Sequence, residues 1–249
     1  MSLERYLNLE LTPWIGEHLH RYFEAKKYIR TRDIVLDLAC GSGYGTNILS
    51  QGTGAEIYGG DIQPDVINYC QKKWAGNPSL HFEVMDATAL RFSAGFFDRI
   101  ISLETIEHLT AYKEMVSEFC RVLKPGGVVI VSTPNIRISS PDGIVRDPYH
   151  TQEFTYDELK GILKTAFSEV SIYGQRYTRY FCKQAPGMKE MEKLLLARGV
   201  RKLPYKLRNL LFSKQFDYPL YPSASDFDLF EIKKTVEKHC HVLFAVCKK

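Results

Sequence analysis

The passage that most constrains this chain is Asp33–Thr46, DIVLDLACGSGYGT, where an apolar strand runs straight into a glycine-rich turn and then a helix. Glycines at such a turn let a ligand approach the backbone without meeting a Cβ. In open parallel sheets the ligand crevice lies at the carboxyl ends of the strands. One passage therefore predicts both the architecture and the side of the sheet that carries the site.

The rest of the sequence keeps the same rhythm. Trp14 to Ile29 reads as an amphipathic helix with Ile15, Leu19, Tyr22 and Phe23 on one face. Strands are then predicted at Asp33–Leu38, Ala55–Asp61, Leu80–Met85, Phe97–Leu103 and Val128–Ser132. Helices alternate with them at Gly43–Ser50, Pro64–Trp74 and Thr110–Leu123, the last stopped by Lys124-Pro125-Gly126-Gly127. Alternation of this kind predicts a parallel sheet covered on both faces, an α/β fold. After a Pro- and Ser-containing loop to about Thr151, a helix is expected at Thr155–Phe167 and strands at Val170–Tyr173 and His241–Lys248. Residues 1–32 read as an N-terminal helical cap and 33–249 as the main domain. Within that domain 175–236 is a helical insertion or cap before the last strand.

Composition closes off several classes. The 249 residues are 45% hydrophobic and 25% charged, ordinary for a globular chain with a real core. No apolar run reaches the roughly 18 residues that span a bilayer. The N-terminus carries Glu4 and Glu10 and lacks a continuous apolar stretch, so no secretory signal is read there. Cys40, Cys70, Cys120, Cys182, Cys240 and Cys247 are scattered without a CxxC pair, which points to buried reduced thiols and a cytoplasmic location. The net charge of +4 is uneven. Between Gln175 and Leu211 ten Lys or Arg face only Glu190 and Glu192, so the remainder of the chain is mildly acidic.

Three ligands compete for the glycine turn. A dinucleotide fingerprint, GxGxxG, requires a third glycine where this chain has Thr46. A phosphate loop requires a Gly-Lys-Ser/Thr that does not follow. Asp37, four residues before Gly41, suits a ligand with a cationic α-amino group, as in S-adenosylmethionine. Asp61, after the second strand, is placed to take ribose hydroxyls, Ile62 to face adenine, and Asp86-Ala87 to read the adenine amino group.

In order along residues 33–135, DLACGSGYG, Asp61, MDA, FDRIISLETIEHL and RVLKPGGVVIVSTPN resemble the motifs of class I S-adenosylmethionine-dependent methyltransferases. More narrowly, ERY at 4–6, EHLHRYFEA at 17–25, SLETIEHL and DPYHTQEFTYDEL at 147–159 resemble bacterial methyltransferases of surface-polysaccharide and O-antigen clusters. The resemblance implies a Rossmann-like, seven-stranded, mostly parallel sheet whose last strand is antiparallel. It implies S-adenosylmethionine across the carboxyl edge, held by Asp37, Ala39, Gly41, Gly43, Asp61, Ile62, Asp86, Ala87 and Leu103. The helix bearing Glu17, His18, His20, Arg21 and Tyr22 covers the cofactor in such relatives, with Tyr6 or Tyr22 candidates to close over the methionine part.

On the acceptor side the candidates for catalysis are His108, His150 and Glu104. A hydroxyl acceptor must lose a proton, which histidine accepts well near neutral pH. Glu104, Glu107 and His108 are spaced i, i+3, i+4, so on one helical turn they would share a face, with His150 completing the set. This resembles the ExxEH-plus-distant-His metal site of small-RNA 2′-O-methyltransferases and quinone O-methyltransferases, which implies Mg, Mn or a similar ion on Glu104, Glu107, His108 and His150. A metal-free general base and a purely structural EH pair remain open beside it.

Met188–Phe212 alternates Leu194, Leu195, Leu203, Leu207, Leu210 and Leu211 with Lys and Arg, divided by Gly199 and Pro204. It reads as a packed cap helix, or as a surface for anionic lipid, a phosphate-bearing acceptor or another subunit. No nucleic-acid-binding module is recognisable. Three functions follow: O-methylation of a sugar or glycan hydroxyl, metal-assisted methylation of RNA or a quinone, and cofactor binding without catalysis.

Overall fold

The computed structural model describes residues 15–178, 222–232 and 240–249, with isolated positions at 203, 207, 210 and 214. Helix α1 (Ile15–Lys26) leads to β1 (Ile34–Leu38), α2 (Tyr44–Ser50), β2 (Glu56–Asp61), α3 (Pro64–Lys73), β3 (Leu80–Val84) and β4 (Phe97–Leu103). A 3-10 turn (Ile106–His108), α4 (Tyr112–Val122), β5 (Leu123–Pro134), α5 (Ile136–Ser139), α6 (Tyr156–Lys164) and β6 (Glu169–Tyr177) follow. A second 3-10 turn (Ala224–Asp226), β7 (Phe227–Glu231) and β8 (Val242–Lys248) complete the described elements.

Local chemistry explains these boundaries. Pro64 opens α3, where its missing N–H would be unpaired in any case. Thr155 and Glu158 cap α6 reciprocally: each side chain accepts the other's backbone N–H. In α4 the buried face is Met115, Val116, Phe119 and Val122, the 3.6-residue repeat of a helix lying on a sheet. Burying each such side chain contributes roughly 1.5–3 kcal/mol. That face meets Leu36, Ile100 and Val129 of the central strands in the main core.

The sheet has eight strands in the order β3-β2-β1-β4-β5-β8-β6-β7. Pairings from β3 through β5 are parallel, and β8 is antiparallel to both β5 and β6. The Rossmann-like, mostly parallel sheet expected from sequence is present, with one strand more than seven. The additional strand, β7, lies inside the stretch 175–236 read as helical, where the short run Phe227–Glu231 carries no strong period of its own. Strand β5 also starts earlier than expected. Lys124-Pro125-Gly126-Gly127 does not separate helix from strand but forms an irregularity within β5, opposite a register shift between Phe97 and Arg99, with Gly126 at φ 74°.

The chain divides into two compact units, residues 1–20 with 177–228, and residues 21–176 with 229–249. In the first, the backbone of Pro222 fills the space a Cβ on Gly16 would need, and Thr178 N donates to Asp226 O at 2.8 Å. The second holds the glycine turn and all the site residues discussed below. Among the described residues no helix is long and apolar enough to cross a membrane. None of the five described cysteines is in a disulfide; Cys182 and the basic stretch Met188–Phe212, apart from isolated positions, lie outside the described residues.

Candidate active site

The turn after β1 is wound by three left-handed residues in five positions, Ala39 (φ 61°), Gly41 (φ 53°) and Gly43 (φ 73°). For alanine this conformation costs on the order of 1–2 kcal/mol, strain of a kind that gathers at functional sites. Cys40 N donates to Gly60 O at 2.9 Å and Gly43 N to Cys40 O at 3.0 Å, tying the turn to β2. Gly43 has a second reason to be glycine: a Cβ there would come within 2.7 Å of Trp74 Nε1, which donates to Ser42 O.

The acids expected at this edge are present at their strand ends, engaged more closely with the protein than sequence suggests. Asp61 Oδ2 accepts from Gly41 N at 3.2 Å and Oδ1 from Gln63 N at 3.0 Å; burial raises its pKa, and the backbone donors pull it back. Ile62 beside it is 56% exposed, a free apolar face. Asp86 is exposed and caps its own turn, accepting from Thr88 N and Oγ1, which lowers its pKa. Ala87 is half-buried and Leu103 buried at the end of β4. Asp37 is fully buried, accepting from Thr46 Oγ1 at 2.6 Å and from Tyr22 OH at 3.3 Å. Burial pushes its pKa up to about 7 against those two donors. Thr46 thus holds Asp37 at the position where the dinucleotide fingerprint has its third glycine.

The acceptor side departs from the expected helical turn. Glu104 takes φ 53° and precedes the 3-10 turn, so Glu104, Glu107 and His108 do not share a helical face. Its amide donates to Ser132 O at 3.0 Å, and its carboxylate accepts from Ser132 Oγ at 2.7 Å and faces Arg21 Nη2 at 3.9 Å. Arg21, 1% exposed on α1, also donates from Nη1 to Gln175 Oε1 at 2.7 Å. Glu104 is therefore held by Ser132 and faces Arg21, and it is not among the side chains whose ligand atoms converge.

The other three members do converge. One ligand atom each from Glu107, His108 and His150 lies within 4.8 Å of the others. Glu107 is 0% exposed; its Oε2 accepts from Thr133 Oγ1 at 2.9 Å, and its Oε1 has no hydrogen-bond partner among the described residues. Burial, and then the charge of Glu104, push its pKa well up. The loop bearing His150 docks on Glu107's carbonyl, which accepts from Thr151 N at 2.8 Å and Thr151 Oγ1 at 3.0 Å. This sets the His108 and His150 rings edge to face, 4.9 Å apart. Nδ1 of His108 lies 2.8 Å from Tyr149 O, which can only accept, so that nitrogen carries a proton. Nδ1 of His150 lies 2.9 Å from Glu153 Oε1, and Ser139 Oγ donates to Glu153 Oε2 at 2.5 Å. Sequence reasoning missed Glu153; the only signal was its place three residues after a candidate histidine.

The strand order makes these two halves neighbours, since β1, bearing the glycine turn, pairs with β4, and β4 pairs with β5. Residues 36–131 match the family model described as a methyltransferase domain. A probable S-adenosylmethionine-dependent methyltransferase of Mycolicibacterium smegmatis is 31% identical over 158 residues, 63% of this chain and 60% of that protein. The 2-methyl-6-phytyl-1,4-hydroquinone methyltransferase of Synechocystis is 34% identical over 103 residues, 41% of this chain and 32% of that one. Haemonchus contortus phosphoethanolamine N-methyltransferase 2, solved with phosphomonomethylethanolamine and S-adenosylhomocysteine, superposes with a TM-score of 0.64 at 15% identity, over 100% of this chain and 61% of that one. The chain spans about three fifths of the length of the mycobacterial relatives it matches.

Proposed function

We propose, on the premise that residues 36–131 form a class I S-adenosylmethionine-dependent methyltransferase domain, that the chain methylates a hydroxyl of a small-molecule or glycan acceptor. The observation that carries the reading is the His108–His150 pair beside the strand edge that bears the glycine turn. The cofactor supplies a methyl group already activated on a sulfonium, so alignment is most of the protein's task. The glycine turn gives backbone access, Asp61 with Ile62 the place for the nucleoside, and Asp37 negative charge near the amino-acid end. On the acceptor side one imidazole takes the hydroxyl proton, a role worth about 10²–10⁴-fold in rate. Surface-polysaccharide sugars are the acceptor class favoured by the resemblance of SLETIEHL and DPYHTQEFTYDEL. The names of the relatives keep hydroquinone and phosphoethanolamine acceptors in the comparison.

The unpartnered, buried Oε1 of Glu107 favours a metal-assisted form of the same reaction. One carboxylate and two imidazoles fit a divalent transition ion such as iron, zinc or manganese. Such an ion would supply positive charge to an acceptor oxygen, with Glu107, His108 and His150 as its ligands and Glu153 orienting His150.

Methyl transfer from labelled S-adenosylmethionine to a panel of methyl glycosides, a hydroquinone and phosphoethanolamine tests the reading. Label in a hydroxyl product, reduced at least 10²-fold in His108→Ala or His150→Ala with cofactor affinity intact, is the expected result. Label only on nitrogen, or cofactor affinity with no turnover, overturns it. Loss of activity on chelation and recovery with Mn²⁺ would select the metal-assisted form.

A further inference from the structure

Asp37 stands where a carboxylate is expected to face the cofactor's cationic amino group, yet it is fully buried and both its oxygens already accept from the protein. One donor, Thr46, comes from α2, directly after the turn. The other comes from α1, an element far outside the glycine motif. Tyr22 is 5% exposed, and its ring occupies the space over Gly45. A Cβ on Gly45 would lie 2.0–2.3 Å from the ring carbons, so glycine at 45 is what lets the ring sit there. Tyr44 packs against it edge to face at 5.5 Å. A phenylalanine would fill that space equally well. The hydroxyl is the part that packing does not require, and it points at Asp37.

We propose that Tyr22 is a positioning residue for the amino-acid end of S-adenosylmethionine, acting through Asp37: α1 reaches over Gly45 and holds the carboxylate one residue before the end of β1. The inference rests on the reading above that this edge binds that cofactor. An ionised carboxylate in this position needs hydrogen-bond donors to offset its burial, and among the described residues two side chains, Thr46 and Tyr22, provide them. Among the described residues the ionisable groups that act on it are Tyr22 on α1, Cys40 in the turn and Asp61 at the end of β2, while Tyr44 on α2 acts on Tyr22. Asp61 opposes its ionisation, and burial keeps the Tyr22 phenol protonated far above neutrality. Tyr22 is therefore a hydroxyl donor throughout the working pH range. Removing the hydroxyl makes the charged carboxylate harder to form, so cofactor affinity weakens and its rise with pH begins later.

The test is calorimetric titration of S-adenosylhomocysteine into the wild-type chain, Tyr22→Phe, Asp37→Asn and the double variant, between pH 5.5 and 8.5, with melting temperatures alongside. Expected for Tyr22→Phe is about tenfold weaker binding at pH 7.5, the size of a lost hydrogen bond to a charged group. The midpoint of the affinity–pH curve should move upward and the melting temperature stay nearly constant. In Asp37→Asn the pH dependence should disappear, and adding Tyr22→Phe to it should weaken binding little further. Equal affinity and an unshifted curve in Tyr22→Phe overturn the proposal, as does full additivity in the double variant. Collapse of the fold on loss of the hydroxyl alone also overturns it, since Tyr22 would then be a fold anchor. A wild-type chain that binds no S-adenosylhomocysteine instead overturns the cofactor reading itself.

Discussion

Nδ1 of His150 lies 2.9 Å from Oε1 of Glu153, a buried carboxylate whose other oxygen is held by Ser139. The pairing fixes the tautomer of His150, leaving Nε2 as the lone-pair nitrogen, whether that nitrogen meets a proton or an ion. Glu153→Gln keeps the shape and weakens the orientation. It should lower kcat by about 10–100-fold, as outer partners of functional histidines do, and leave the affinity for S-adenosylhomocysteine unchanged. Steady-state kinetics beside a binding titration decide it; a parallel loss of cofactor affinity would sink the assignment.

Asp37 gives the apo protein an unusual pH dependence. Its folded-state pKa, about 7, lies above the usual 3.8, so the folded state binds the proton more tightly than the unfolded one. The stability it contributes is complete below pH 3.8 and lost as pH rises through about 7. The upper bound is on the order of 4 kcal/mol. Thermal melts of the cofactor-free chain should therefore decline between pH 5 and 8, and Asp37→Asn should make the decline shallower, the remainder coming from the raised acids Asp61 and Glu107. A wild-type curve as flat as that of Asp37→Asn would remove Asp37 as its source.

Gly43 and Gly76 form a matched pair of glycines. At Gly43 a methyl group must adopt φ 73° and meet Trp74 Nε1 at 2.7 Å, whereas at Gly76 nothing lies within 4 Å. Gly43→Ala should lose roughly 2–4 kcal/mol, from left-handed backbone and overpacking together. Gly76→Ala should stay within about 0.5 kcal/mol of wild type. Urea unfolding of the two variants checks the contrast.

If Glu107, His108 and His150 hold a divalent ion, Mn²⁺ should raise the melting temperature of the wild-type chain. At a hundredfold excess over its dissociation constant the gain is about 2.7 kcal/mol. Glu107→Gln should abolish the shift, and Glu104→Gln should leave it, because Glu104 faces Ser132 and Arg21. A shift retained in Glu107→Gln, or lost equally in both variants, would contradict the three-residue set.

The central strands were legible because they are buried on both faces: Ile34–Leu38 is apolar but for Asp37, and Phe97–Leu103 is carried by Phe97, Ile100, Ile101 and Leu103. The glycine turn was legible for a related reason, since few residue types tolerate its backbone. The acceptor side was harder to read. The i, i+3, i+4 spacing of Glu104, Glu107 and His108 assumes a regular turn, and one left-handed residue at Glu104 removes it. Arg21 and Gln175 are 154 positions apart, and no local pattern announces that they meet. Thr46 was noticed only as a missing glycine, although its hydroxyl holds Asp37.

Strand β8, Val242–Lys248, occupies an interior place, hydrogen-bonded to β5 on one side and β6 on the other. During synthesis both neighbours leave the ribosome more than sixty residues before it does, each with an open row of amides and carbonyls. Until Lys248 emerges, those rows are sites where another nascent chain can pair. Deleting Val242–Lys248 would split the sheet between β5 and β6 instead of shortening an edge.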